Sequence, residues 1–458
     1  MPAAGIYHDL LQPDLRMMLQ ENDQFGLQEF CEALNPVVVA EVLEGLEPEQ
    51  AERVLSQAGL ERQAEIFSFI EPVQQIELVS AMERQHLSKL IEVMAPDDRV
   101  DLLEHLDEEQ VEALLPLVAQ VEREEIRKLL SYPENSAGSI MTTEYASLPE
   151  NITAREALER LRQQAPDSET IYYVFVVDEG RHLHGVITLR ELILARPNSQ
   201  LSSLMRRDVI SVHVEDDQQE AARQHARFDL LALPVLDEAE RLVGIITHDD
   251  VLDIVQEEAE EDAYRQSGME PLEHSYFSTP LITIAWKRGV WLFVLAALAL
   301  ITASILDAWD QIAEQHVWLV SFLPMVLGSG GNTGSQSATL VIRAMATMQM
   351  TKRHKLQMIR RELMTGLLLG FCLGLFALLA SHTLFHKSWV QAAVPAGTIL
   401  FVVALGSVLG SALPVLFERC GLDPALMSNP MIAALSDTIG VATYYSTAWV
   451  LLERFKDW

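Results

Sequence analysis

Five long apolar stretches dominate the chain after Ala285. They cover residues 289–306, 317–342, 363–380, 394–416 and 430–452. Each holds about 18 residues or more, enough for a helix to cross a hydrocarbon layer of roughly 30 Å. A single run of this kind suits a buried helix of a water-soluble domain, but five in succession predict a membrane domain with five spanning helices.

Charges in the flanking segments predict the orientation of these helices. Basic side chains cluster between the second and third stretches and just before the first: Lys352, Arg353, Lys355, Arg360 and Arg361, and Lys287 and Arg288. Such residues favour the cytoplasmic side of a membrane. The pattern predicts a cytoplasmic N-terminal region and, with an odd number of spans, a C-terminus outside the cell.

A short repeat built around proline occupies residues 34–130. Tripeptides that begin at Leu34, Leu46, Ile70 and Met94 each end in proline, at spacings of 12, 24 and 24 residues. Proline is tolerated in the first turn of a helix, so each one predicts a helix start. The repeat predicts an all-α solenoid of stacked short helices within residues 1–133.

A second duplication lies within residues 134–256. The segments 177–179 (Val-Asp-Glu) and 185–188 (Gly-Val-Ile-Thr) recur 59 positions later as Leu-Asp-Glu and Gly-Ile-Ile-Thr. Each copy reads as helix, strand, turn, strand and helix. The pattern resembles a tandem of cystathionine-β-synthase (CBS) domains. That resemblance implies paired α+β modules, which in several families bind adenine nucleotides.

Charge separates the front of the chain from the membrane domain. The whole chain has a net charge of −33, and residues 276–458 hold 12 Lys and Arg against 9 Asp and Glu, so residues 1–275 carry −36. Such a region attracts cations and repels phosphate backbones, which excludes a nucleic-acid partner. The three cysteines lie far apart without a ligand spacing, which argues against a disulfide framework or a structural zinc site.

An acidic helix is predicted to connect the CBS pair to the membrane domain, over residues 257–280. The carboxylates from residue 250 onward recur three or four positions apart and therefore share a helix face, where they repel one another. Solvation of that face is one interpretation. A divalent cation is the other, because Mg²⁺ and Ca²⁺ prefer oxygen ligands.

Two polar features interrupt the membrane stretches. Residues 328–338 read Gly-Ser-Gly-Gly-Asn-Thr-Gly-Ser-Gln-Ser-Ala. Polar segments at this depth are tolerated when buried in protein or lining a watery cavity, so a pore wall is favoured over small-residue helix packing. Asp437 is the one acidic or basic residue of 430–452. Its insertion costs about 2.5–3.5 kcal/mol, which favours a place on an ion pathway over a structural hydrogen bond.

These segments resemble a known family. Residues 330–344, 423–430 and 435–438 are similar to signature segments of the MgtE family of magnesium channels. The resemblance implies a multidomain protein of the bacterial plasma membrane. Its parts are the all-α solenoid (1–133), the α+β tandem CBS domains (134–256), the acidic connecting helix (257–280) and five membrane helices (281–458).

The family resemblance also implies roles for individual residues. Asp437 would bind hydrated Mg²⁺ in the pore, with Ala433 one turn earlier lining the same site. A cytosolic Mg²⁺-sensing cluster would comprise Glu65, Asp97, Asp101, Asp229, Asp250, Asp253, Glu258, Glu261 and Asp262. Tyr173 and Arg190 match positions that contact ATP, but Glu191 replaces the expected Asp and Leu230 replaces an aromatic residue. ATP therefore stays open as a regulator.

Charge suggests a mechanism. One Asp437 supplies a single negative charge, whereas two copies on the axis of a homodimer would balance a divalent ion. Mg²⁺ releases its water reluctantly, so the amides of Asn332 and Asn429 are expected to line the pore and contact the hydration shell. Cytosolic Mg²⁺ bound between the acidic parts would then close the channel.

Two other functions stay open from the sequence. One is a membrane-anchored sensor of Mg²⁺ or nucleotide that transports nothing, and the other is an exporter of a related divalent metal. Catalysis is not expected, because no nucleophile, base and orienting group occur at a recognisable spacing.

Overall fold

A computed structural model describes residues 4–104, 106, 108–133, 135–272, 276, 279–347, 350–424 and 429–453. The chain divides into two compact units, residues 1–257 and 258–458, which are described separately below. Residues 425–428 of the second signature segment lie outside the described residues.

Over the described residues between 4 and 133, the first unit begins with ten α-helices. They are α1 (Ala4–Glu21), α2 (Gln24–Ala33), α3 (Pro36–Leu43), α4 (Pro48–Leu55), α5 (Leu60–Ser68), α6 (Pro72–Ala81), α7 (Arg84–Val93), α8 (Pro96–Glu104), α9 (Glu108–Leu114) and α10 (Gln120–Leu129). Helices α3, α4, α6 and α8 each begin at a proline of the repeat. The predicted helix starts are confirmed.

Alternate helices of this region pack against one another. Contacts join α1 to α3, α2 to α4, α3 to α5, α4 to α6 and α5 to α7. Each short helix turns one apolar face inward: α4, for example, buries Ala51, Val54 and Leu55. Each fully buried valine or leucine side chain contributes about 1.5–3 kcal/mol, so the shared core rather than any single helix holds the region together.

Two three-stranded sheets follow, one for each copy of the duplicated segment. The first contains β1 (Tyr145–Pro149), β2 (Thr170–Val177) and β3 (Leu183–Thr188), with helices α11 (Ala154–Gln164), α12 (Leu189–Leu194) and α13 (Leu201–Leu204). The second contains β4 (Val212–His213), β5 (Ala232–Leu236) and β6 (Leu242–Thr247), with α14 (Gln218–Arg227). In both sheets the first pair is parallel and the second antiparallel.

The glycine of the duplicated segment has the same register in both sheets. Gly185 pairs with Val176, and Gly244 pairs with Val235. A Cβ at Gly185 would lie 2.8 Å from the backbone oxygen of Arg206, and one at Gly244 would lie 2.5 Å from the Met141 sulfur. Both positions exclude a side chain because another segment packs directly on the strand.

Helix α15 (His248–Gln266) follows β6 without a break. The predicted start of the connecting helix at residue 257 falls inside it. The acidic residues 249–262 therefore share one continuous helix.

In the described part of the second unit, six helices follow the end of α15. They are α16 (Leu281–Ala308), α17 (Asp310–Gln315), α18 (Trp318–Thr347), α19 (Lys352–Thr383), α20 (Trp389–Arg419) and α21 (Asn429–Glu453). Among the described residues, three of them, α16, α19 and α20, are long and apolar enough to cross a membrane. The other two predicted stretches correspond to α18 and α21, which carry the polar motifs.

Glycines bring the backbones of α18 and α20 into direct contact. A Cβ at Gly410 would lie 2.1 Å from the backbone oxygen of Gly334, and one at Gly406 would lie 2.5 Å from that of Gly330. Helix α18 runs unbroken through this motif. Small-residue packing therefore accounts for Gly330 and Gly334, although the sequence pattern favoured a pore wall over this interpretation.

This contact predicts opposite results for two glycines of α20. Gly410→Ala should lower the stability of the full chain by about 1–3 kcal/mol, because the new methyl group has no space. Gly397→Ala is the matched control, since a Cβ there meets nothing within 4 Å. The measurement is the midpoint of thermal unfolding in detergent, and equal midpoints for the two variants would contradict the packing.

Candidate functional sites

Carboxylates converge in the first unit where two helices begin. Pro96 starts α8 and places Asp97 and Asp98 in its first turn. Helix α15 begins directly after β6 and has Asp249 and Asp250 in its first turn. The positive end of a helix dipole favours negative charge at both positions.

Asp250 is held in place by its own helix start. The backbone N–H and the hydroxyl of Thr247 donate to its carboxylate at 3.0 and 2.7 Å. Burial nevertheless raises the pKa of Asp250, and the adjacent Asp249 and Asp253 carboxylates add to that shift. One oxygen of Asp97 is buried without a hydrogen-bond partner in the described structure.

Burial, together with the charges of the α15 carboxylates, raises the pKa values of the carboxylates on α8. Burial and then the charge of Asp250 raise the pKa of Asp97 well above its usual range. The same two causes raise the pKa of Asp98 to about 6. They also raise the pKa of Glu169, which precedes β2, to about 7. These groups form what we call the cytosolic acidic cluster: Asp97, Asp98, Asp101, Glu169, Asp249, Asp250 and Asp253.

Three members of the cytosolic acidic cluster were missed by sequence reasoning. Asp98 is next to the predicted Asp97, and Asp249 is next to the predicted Asp250. The pair of consecutive aspartates at each helix start was the signal that could have identified them. Glu169 has no such signal, because the fold alone brings it to Asp98 and Asp250. Predicted residues Asp101 and Asp253 do belong. Desolvation and then Asp98 raise the pKa of Asp101 to about 7, and desolvation and then Asp249 raise the pKa of Asp253.

Two predicted residues lie apart from this cluster. Glu65 is exposed on α5, and Arg62 pairs with it at 2.6 Å. Asp229 is exposed in left-handed backbone with φ of 49° between α14 and β5. Across the described ranges, neither joins the cluster through an identified hydrogen bond or ion pair.

The cluster has the donor chemistry for a hard cation but not a closed ligand set. Within the described part of the chain, no three His, Cys, Asp or Glu side chains converge closely enough to hold a metal ion. The buried, unpartnered oxygen of Asp97 and the raised pKa values all favour a positive counter-charge. Such a site suits an ion that keeps part of its water shell.

The three predicted nucleotide-contacting residues lie in the first CBS-like copy. Tyr173 is half-buried on β2 and Arg190 is exposed on α12. Glu191 accepts from the Thr188 N–H and hydroxyl at 2.9 and 2.8 Å, and from Arg206 at 2.8 Å. Desolvation opposes ionisation, but these hydrogen bonds prevail and lower the pKa of Glu191. Its carboxylate is thus engaged by the protein itself.

The three other predicted site residues of α15, Glu258, Glu261 and Asp262, lie in the second unit. Arg265 contacts the carboxylates of both Glu261 and Asp423, so it joins α15 to the segment between α20 and α21. Desolvation, followed by the charges of Asp423 and Glu258, raises the pKa of Asp262. Sequence reasoning placed Glu258, Glu261 and Asp262 in one set, but it missed Arg265.

Asp437 lies half-buried in the middle of α21. It faces Gly331 of α18: a Cβ on that glycine would lie 3.7 Å from a carboxylate oxygen of Asp437 and 3.4 Å from the Cβ of Ala433. Ala433 and Asp437 therefore share one face of α21. No identified hydrogen bond or ion pair joins Asp437 to another residue of the described ranges, so neither a basic partner nor the structural hydrogen bond that was the less favoured alternative is found there.

The two predicted pore-lining amides lie on different helices. Asn429 begins α21, and its backbone oxygen accepts from Ser335 at 3.1 Å. Asn332 is exposed on α18, on the same helix face as Gly328 and Gln336, which are also exposed. A stripe of polar and small residues thus remains uncovered within one chain.

The comparisons with known proteins extend over both units. The profile of the MgtE family, described as a divalent cation transporter, matches residues 323–447. The MgtE intracellular N domain matches residues 34–135, and CBS domains match residues 137–198 and 201–257. The fold and its matched parts define a multi-pass membrane protein with tandem CBS domains.

Three curated relatives that match more than two thirds of the chain are named magnesium transporter MgtE. The chain is 40% identical over 331 residues to the magnesium transporter MgtE of Thermus thermophilus, covering 72% of this chain and 73% of that protein. It is 35% identical to that of Enterococcus faecalis, covering 73% of each. The chain belongs to the MgtE family.

A solved structure matches the front of the chain. The cytosolic domain of the Mg²⁺ channel MgtE in complex with ATP is 38% identical, with a TM-score of 0.51, covering 53% of this chain and all of that one. The likeness supports the fold of the helical region and the CBS pair.

The raised pKa values predict how stability depends on pH. Without divalent cations, the free energy of unfolding of residues 1–275 should fall as pH rises from about 4 to about 7. Over this window the folded state keeps protons on Asp98, Asp101 and Glu169 that the unfolded chain has released. Asp98→Asn should flatten the decline.

The measurement is urea unfolding in a chelator across that pH range. Glu179→Gln, an exposed residue of the β2–β3 turn, removes the same charge and is the control. The interpretation is wrong if wild type gains stability from pH 4 to 7, or if both variants flatten the decline equally.

Proposed function

We propose that this protein is a Mg²⁺-selective channel that mediates passive Mg²⁺ influx and is closed by cytosolic Mg²⁺. The observation that carries this proposal is Asp437, half-buried among apolar helices and facing a glycine rather than a counter-charge. A charge in such a place is costly, and an ion pathway explains it. The names of the MgtE relatives supply the identity of the ion.

Five membrane spans complete the proposal: α16, α18, α19, α20 and α21. Lower hydropathy in α18 and α21 is consistent with this count, because α18, α20 and α21 pack on one another and shield polar faces from lipid. Two ion pairs support the proposed orientation. Lys355 contacts Glu418, and Arg265 contacts Asp423. The first pair joins the start of α19 to the end of α20, and the second joins α15 to the segment between α20 and α21. In the proposed orientation all of these lie on the cytoplasmic side.

The pore would form between two copies of the chain. Each Asp437 supplies one negative charge, and a two-fold axis supplies the second that a divalent ion requires. The uncovered stripe of α18 with Asn332 supports such a partner, since polar groups exposed to hydrocarbon are unfavourable. We propose a homodimer in the bacterial plasma membrane, with the N-terminus in the cytoplasm and the C-terminus outside.

Permeation would depend on a hydrated ion. Mg²⁺ sheds water reluctantly, so Asp437 attracts it while Asn332, Asn429 and the small Ala433 leave room for its water shell. A divalent ion that moves down an inside-negative potential of 100 mV gains about 4.6 kcal/mol, from roughly 2.3 kcal/mol for each charge. No other energy source is required.

Asp437→Asn should abolish Mg²⁺-dependent growth of a cell that lacks its own magnesium transporters, on medium low in Mg²⁺. The amide keeps the shape of the side chain but removes the charge that attracts the ion. Asp307→Asn, at the end of α16, is the matched control and should support growth. Growth of the Asp437→Asn strain at the wild-type rate, with equal protein levels, would reject the pore role.

Gating would use the acidic front of the chain. We propose four parts: a helical solenoid (1–133), the CBS pair (134–256), the connecting segment (257–280) and the membrane domain (281–458). Repulsion within the cytosolic acidic cluster opens the assembly at low Mg²⁺, and bound Mg²⁺ closes it. Glu65, Asp229, Glu258, Glu261 and Asp262 would complete the sensing set in the closed state.

ATP is proposed as a weak regulator. A related cytosolic domain was solved with ATP, which supports a site at Tyr173 and Arg190. Here the hydrogen bonds of Glu191 to Thr188 and Arg206 compete with any ribose hydroxyl. Binding weaker than in relatives with an aspartate is therefore expected.

Joint replacement Asp97→Asn, Asp250→Asn and Glu258→Gln should leave the channel open at millimolar Mg²⁺, because the closed state loses the carboxylates that bind the closing ion. The measurement is single-channel recording from patches as cytosolic Mg²⁺ is raised. The control replaces the exposed Glu61, Glu159 and Glu179 with glutamine and should close as wild type does. Normal closure of the first variant would defeat the gating proposal while leaving the pore proposal intact.

A further inference from the structure

A cavity of about 420 Å³ opens between the last turns of α18 and the first turns of α19. Its wall includes Leu340, Val341 and Ala344 from α18, and His354, Met358 and Arg361 from α19. Small-molecule sites in proteins measure roughly 300–1,000 Å³, so the cavity is large enough for a polar headgroup.

The cavity combines an apolar wall with a cationic rim. Leu340 is 64% exposed despite its apolar side chain, and Arg361 is exposed beside it. Among the described residues, no carboxylate forms an ion pair with Arg361. Glu362 also borders the cavity, but Ser337 of α18 donates to it at 2.7 Å, which ties its carboxylate to the protein.

An apolar track leads away from Arg361 along α19. Met364 and Leu368 follow at three and seven positions, so they share one face of the helix with Arg361. Their side chains are 62% and 65% exposed. The same face thus offers a positive charge at the end of a proposed span and a hydrophobic surface toward its middle.

We propose that this cavity binds the headgroup of an anionic phospholipid of the cytoplasmic leaflet, with the phosphate near Arg361 and His354 and an acyl chain along Met364 and Leu368. Basic pockets between membrane helices on the cytoplasmic side attract such headgroups. Nearby Lys352, Arg353 and Arg360 add positive potential. The inference rests on the orientation in the proposed function but not on Mg²⁺ permeation.

Native mass spectrometry of the full-length protein in detergent tests the site. Phosphatidylglycerol and phosphatidylcholine with identical acyl chains are titrated separately, and inorganic phosphate is added as a competitor. We expect the first phosphatidylglycerol to bind several-fold more tightly than phosphatidylcholine. Arg361→Gln should weaken phosphatidylglycerol binding about five-fold, the loss expected for one basic residue near the bilayer surface.

Two further variants distinguish binding in the cavity from general electrostatic attraction of an anionic lipid to the basic residues nearby. Arg353→Gln removes the same charge from the neighbouring segment outside the cavity wall, and it should keep at least half of the wild-type affinity. Met358→Trp fills the cavity while every charge is retained. It should weaken phosphatidylglycerol binding as strongly as Arg361→Gln does.

Three outcomes would overturn the proposal: equal affinity for the two lipids, equal losses in Arg353→Gln and Arg361→Gln, or displacement of phosphatidylglycerol by millimolar phosphate. The last would indicate a site for free anions instead. Because lipid binding is read directly, its failure leaves the Asp437-dependent growth test unaffected, and failure of that test leaves the lipid measurement valid.

Discussion

Negative charge without a matching positive charge is the constraint on which both units depend. In the first unit, α8 and α15 each begin with paired aspartates, and the fold brings these helix starts together although they repel. In the second, Asp437 lies among apolar helices with a glycine opposite. Each of these charges opposes folding, because a charge removed from water is costly unless it is paired.

Helix α15 connects these two places along the chain. Its first turn contributes Asp249 and Asp250 to the cytosolic acidic cluster, and its last turn holds Arg265, which contacts Asp423 just before α21. Asp437 lies on α21. One regular helix thus carries residues of the cluster in its first turn and, in its last, a residue that contacts the segment between α20 and α21.

The sequence predicted most of the elements and part of the chemistry. Repeated prolines identified four helix starts, because proline restricts where a helix begins, and apolar length identified the three helices α16, α19 and α20 that can cross a membrane. Asp437 stood out because charge is rare in such a segment. Glu169 and Arg265 could not be found this way. Their roles depend on partners distant in sequence, Asp250 and Asp423, and only the folded chain shows that they meet.

The glycine contacts of α18 and α20 limit how these two helices can move against each other. With the carbonyl of Gly334 seated where a Cβ of Gly410 would be, sliding or rotating one of these helices against the other would drive a side chain into a backbone. Across from them, a Cβ on Gly331 would lie 3.4 Å from the Cβ of Ala433 and 3.7 Å from a carboxylate oxygen of Asp437, so α21 leaves space beside this glycine that α20 does not leave beside Gly330 or Gly334. The pair α18–α20 is therefore locked together as one piece of the second unit.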